Sequence, residues 1–94
     1  MESIQSLDEL QRFVQATLCE RHSLDPQQFP MDMAKLVRSG RPCGLYFCQY
    51  GPRLMKAYAV WDSERSVVAF YDASGVRFHK VTLATGPDIT QIAA

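Results

Sequence analysis

Leu7, Leu10, Val14 and Leu18 recur every three or four positions, with Phe13 widening the stripe, while Glu9, Gln11, Arg12 and Gln15 fill the opposite side. That spacing predicts an amphipathic helix with one face meant for burial. Ser6-Leu7-Asp8-Glu9 has the form of a capping box at its start. Asp8 and Glu9 suit the positive end of the helix dipole, and Arg21 and His22 suit its negative end. Asp25-Pro26 then offers a new cap and first helical position, which Pro30 interrupts. Residues 32–38 hold good helix formers with Met33, Leu36 and Val37 available for burial, and Ser39-Gly40 supplies a stop. A short second helix is expected there.

From Cys43 onward the pattern changes to β-branched and aromatic runs at about 44–50, 54–61, 66–71 and 76–83. Gly51-Pro52, Asp62-Ser63-Glu64-Arg65 and Asp72-Ala73-Ser74-Gly75 separate them. Connections this short join only antiparallel neighbours, so the four runs predict a meander. Asp72 to Gly75 reads as a type I turn with the glycine placed for a bulge. The expected fold is therefore α+β: an N-terminal amphipathic helix, a short second helix, and a four-stranded antiparallel meander packed on both. Residues 1–94 are expected to form one small domain, with about 86–94 a loosely ordered tail.

If the hairpins are tight, Tyr50 faces Arg53, Trp61 faces Ser66 and Phe70 faces Phe78. Alternation then puts Tyr46, Cys48, Ala57, Ala59, Trp61, Val68, Phe70 and Phe78 on one face. Leu45, Phe47, Lys56, Tyr58, Val60, Val67, Ala69, Tyr71, Arg77, His79, Val81 and Leu83 fall on the other. Neither face is polar, whereas an antiparallel sheet with one face in water alternates cleanly. Two modest helices cover one face, so the second is expected to meet another chain, in a homodimer or with a different protein. Tyr46, Tyr58, Tyr71, Arg77 and His79 are the residues expected to serve that contact, which an exposed edge strand could also make.

Charge changes this picture little. The chain carries no net charge, but residues 1–34 sum to −4 and residues 35–94 to +4. With no run of adjacent cations, that asymmetry reads first as attraction between the two halves of the fold. Three cysteines, an odd number, argue against a disulfide framework and for a reducing cytoplasm, and no secretory signal is evident. No apolar run approaches the ~20 residues of a membrane helix.

The candidate chemistry is thin. Cys43 and Cys48 are an odd number of positions apart, so in a strand without a bulge they point to opposite faces and do not share a zinc ion. Cys19 and His22 share a helix face but are only two ligands. No metal or cofactor site is expected. Cys48 reads as a small apolar residue, and Cys43 as an incidental thiol without a base beside it. His79 lacks an evident carboxylate partner, and no nucleophile set, paired carboxylates or phosphate loop occurs, so no catalytic residues are expected. The expected role is a non-enzymatic interaction or self-association module. Two alternatives stay open: a small-ligand pocket between helix and sheet, and single-stranded nucleic acid on aromatic and basic side chains. That composition is similar to RNA-recognition motifs, but those interleave strands with helices and carry an Arg/Lys-Gly-aromatic run absent here.

Overall fold

The computed structural model describes residues 2–87. One helix, α1 (Leu7–His22), and six strands make up the fold: β1 (Glu2–Ser3), β2 (Met31–Arg38), β3 (Arg41–Tyr50), β4 (Lys56–Asp62), β5 (Val67–Tyr71) and β6 (Arg77–Thr85). They form one sheet in the order β1-β6-β5-β4-β3-β2. Strands β2 to β6 are an antiparallel meander, and the two-residue β1 adds in parallel to β6. The fold is α+β, as expected, with a longer sheet and one helix fewer. Of the expected tail, Gly86 is half-buried and Pro87 buried, and the remainder lies outside the described residues.

Helix α1 forms as its sequence dictates. The Ser6 hydroxyl accepts from the Glu9 N–H at 3.1 Å, closing the N-terminus. At the far end Ser23 takes a left-handed φ of 55°, and the Leu24 N–H returns to the Cys19 carbonyl at 2.8 Å in a Schellman ending. Leu10, Val14 and Leu18 are fully buried, and Leu7 and Phe13 pack beside them.

The expected second helix is an edge strand. Only one turn forms after Asp25, whose carbonyl accepts from Gln28 and Phe29 and whose carboxylate accepts from Gln27. Pro30 then ends it. Residues 31–38 have fair helix propensity, but propensity is a weak preference, and β3 offers them a ladder of backbone partners along one side. Ser39-Gly40 is a hairpin turn rather than a helix stop. Its φ values of 52° and 78° are both positive, as a two-residue type I′ connection requires.

The registers between strands also correct the expected faces. Tyr50 pairs with Lys56, not Arg53, because Gly51 to Met55 forms a longer loop around a 3-10 turn in which Arg53 and Leu54 both take positive φ. Moving the pairing by an odd number of residues turns β3 over relative to β4. Between β4 and β5, Trp61 faces Val68, not Ser66, and the faces stay as expected. Between β5 and β6 the Asp72–Gly75 turn and a bulge put Phe70 opposite His79 and leave Phe78 as the extra residue.

The face under α1 therefore carries Leu45, Phe47, Ala57, Ala59, Trp61, Val68, Phe70 and Leu83, all buried, with Val81 packed against them. Phe13 meets Phe70 edge to face with centroids 6.0 Å apart. Fully buried Gln49 ends this face on β3, and its Nε2 lies 3.0 Å from the Phe29 carbonyl and 3.2 Å from that of Pro30. It thereby fastens the helix-to-sheet connection over the end of the core, since buried amides hold their place by such bonds.

Candidate interaction surface

The pairing generates rows of side chains across the face away from α1. One row runs Asp32, Cys48, Tyr58, Tyr71, Arg77 from β2 to β6. The next runs Ala34, Tyr46, Val60, Ala69, Lys80. Both have a middle of aromatic and aliphatic groups and a basic end on β6. Tyr46, Tyr58, Val60, Ala69 and Tyr71 are all half-buried, with no element of the described chain laid over them.

Recesses open on this face, two of them flanked by its tyrosines. The larger, about 440 Å³, lies over β2 to β4 between Asp32, Tyr46, Cys48, Tyr50, Lys56 and Tyr58. Tyr46 and Tyr58 stack with centroids 5.6 Å apart and planes 28° apart. Cys48 lies beneath them, 7% exposed. Burial, followed by the neighbouring Tyr58 and Cys48, raises the Tyr46 phenol above its ordinary pKa. At the rim the Tyr50 hydroxyl donates to the Asp32 carboxylate at 2.7 Å. That hydrogen bond, with some desolvation and the Asp32 charge, pushes the Tyr50 pKa up to about 12. The Lys56 ammonium lies 5.8 Å from the Tyr50 ring centroid. The smaller recess, about 290 Å³, lies over β4 to β6, where Tyr71, Val60 and Ala69 are flanked by Arg65, Arg77 and Lys80.

Four of the five residues expected from the sequence come together on this face: Tyr46, Tyr58, Tyr71 and Arg77. His79 does not join them. It faces α1's side of the sheet, stacked on Phe70 at 5.6 Å. The tight-hairpin assumption had divided Tyr46 from Tyr58 and Tyr71. The long 51–55 loop reunites them, and nothing in Arg53 or Leu54 signals left-handed backbone. Asp32 and Tyr50 were not foreseen, because a helical 32–38 would carry Asp32 away from β3.

The remaining chemistry-bearing residues are dispersed. Cys19 is buried on α1, its thiol pKa raised by burial and by Asp25. Cys43 is the extra residue of a bulge in β3, between Leu36–Gly44 and Val37–Pro42, with its Sγ 3.4 Å from the Leu36 carbonyl. Among the described residues, no three His, Cys, Asp or Glu side chains gather where they could hold a metal ion. No helix of the described residues is long and apolar enough to cross a membrane.

The class these features define is a small α+β sheet protein with one face sealed by a helix and the other tyrosine-rich and, among the described residues, open. No protein family, curated protein or solved structure matches the chain.

Proposed function

We propose that this chain is a non-enzymatic interaction module whose open sheet face docks another protein. The carrying observation is the cluster of Tyr46, Tyr58 and Tyr71, with Val60 and Ala69 between them, which no described element covers, on a sheet whose opposite face holds the helix-packed core. Tyrosine suits such a role: it offers a large apolar area with a polar tip and loses little conformational freedom on contact. The basic margin of Arg77, Lys80 and Arg65 favours an acidic border on the partner. The three free thiols are in keeping with a cytoplasmic setting.

The test is capture from cell extract with the wild-type chain and with Tyr58→Asp, followed by binding measurements on the purified captured protein. The expected result is one protein whose affinity falls at least about tenfold with the variant. Equal binding by both chains would count against the open face.

A second reading has its own observation. Tyr71 beside three cations is the arrangement that stacks a base while holding phosphates. Under that reading an oligonucleotide shift appears at low salt and weakens steeply as salt rises. Absence of any shift at low salt removes it.

A further inference from the structure

The two edges of the sheet are unlike. At one, β1 is two residues long. At the other, β2 is a regular strand of eight residues with no neighbour among the described residues on its outer side. The Tyr50 N–H donates to the Pro30 carbonyl at 3.0 Å, which makes positions 30 and 50 a hydrogen-bonded pair. Such pairs alternate along an antiparallel ladder. Asp32, Ala34 and Leu36 therefore spend their backbone groups on Cys48, Tyr46 and Gly44, while Met33, Lys35 and Val37 aim their N–H and C=O groups outward. The bulge near Val37 sits in β3 and leaves β2 regular.

We infer that β2 pairs with β2 of a second copy, antiparallel, about a twofold axis through Lys35. Outward backbone groups can meet only with odd positions opposite odd ones. In the register centred on Lys35, Met33 faces Val37 of the other copy, and Asp32 faces its Arg38. Met33 and Val37 are 44% and 60% exposed, two of the four large apolar side chains left in solvent among the described residues. The register thus joins apolar to apolar on one face and opposite charges on the other, twice each. It also sets the two Lys35 side chains against each other, an unfavourable contact that long flexible stems can splay to relieve. Centring on Ala34 instead puts Met31 against Val37 but leaves both Asp32 and Arg38 unmatched. The paired sheet keeps both helices on one side and merges the two open faces, with the tyrosine recesses flanking the axis. The inference is independent of what the open face binds, because it uses only the edge.

The test begins with the mass in solution at high micromolar concentration by light scattering. The wild-type chain is expected at twice the chain mass, and a monomer would overturn the inference. Lys35→Pro removes an outward N–H and spares the ladder to β3, since proline is tolerated on an edge. It is expected to run as a monomer with an unchanged circular dichroism spectrum; a folded dimer of this variant would sink the idea. Should it fail to fold, cysteine cross-linking in a Cys43→Ser background decides. Lys35→Cys is expected to form a disulfide-linked dimer on oxidation, because hydrogen-bonded partners sit about 5.5 Å apart between Cα atoms. Met33→Cys is expected not to, its twofold mate lying about 13 Å along the strand. Equal cross-linking of the two, or none in Lys35→Cys, would overturn the register. Lys35→Ala removes the like-charge contact and is expected to tighten the dimer about two- to fivefold; weaker association counts against it.

Discussion

The two faces of the sheet are built from the same strands and differ in what α1 does for them. Under the helix, Phe47, Trp61 and Phe70 lose all or nearly all contact with water and are touched from two sides. On the other face Tyr46, Tyr58 and Tyr71, residues of similar size, keep part of their surface in solvent. Aromatic content therefore says little about which face is core. The cover decides, and the cover follows from register. A helix of this length can seal one face only, and the aromatic groups on the other face lie outside the helix-packed core.

Paired truncations test this contrast most directly. Phe47→Ala is expected to destabilise by about 3–5 kcal/mol, the range for losing a buried aromatic and leaving a cavity. Read by chemical denaturation, a loss under about 1 kcal/mol would mean that the helix-side core is not the stabilising one. Gly44 is the instructive exception, an open-face position where a small change is costly. A Cβ there would overlap the Trp61 carbonyl oxygen of β4. Backbone cannot swing aside as a flexible side chain can, so Gly44→Ala is expected to lose about 2–3 kcal/mol in the same measurement.

How much of this was legible in the sequence depends on the range of the signal. The α1 stripe, its Ser6 cap and the Asp72–Gly75 turn are local patterns, and each formed where its residues pointed. The four runs from residue 44 onward became β3 to β6 within a few residues of their expected ends. Errors arose where pairing overrides local preference, one of them at the Phe78 bulge of β6, which carries His79 to the helix side. Residues 31–38 read as helix because Met33, Ala34, Lys35 and Leu36 favour it, and only the partner β3 makes them a strand. The face assignment failed at 51–55, where Gly-Pro suggested a tight turn but Arg53 and Leu54 take left-handed backbone that their side chains do not advertise. The tyrosines of the candidate surface were legible as residues, but their gathering on one face was not. Gln49 gave no signal, since a glutamine within a strand normally faces solvent.

Tyr58→Ala sharpens the comparison from the other side. Its ring stacks on Tyr46 but remains half-exposed, so the expected cost to stability is about 1 kcal/mol. A cost matching that of Phe47→Ala would show that the open face stabilises the single chain as much as the sealed one.

The smallest expected effect concerns the bond that ties the edge strand to the open face. The Tyr50 hydroxyl donates to Asp32, so its pKa is raised from 10.0 to about 12. A group whose folded pKa lies above its unfolded value contributes stability in full below the unfolded value and loses it as the pH rises through the folded one. The Tyr50–Asp32 bond is therefore intact at neutral pH, and its contribution to stability is lost between about pH 10 and 12. Other groups also titrate in that range, so the useful quantity is the difference in thermal midpoint between the wild-type chain and Asp32→Asn, both diluted until monomeric so that Arg38 of a second copy plays no part. It should be constant up to about pH 10 and close toward zero by about pH 12, while phenolate absorbance shows one tyrosine of the variant titrating nearer the ordinary value. A difference that does not change with pH would mean that Asp32 supports β2 in some way other than as the acceptor of that phenol.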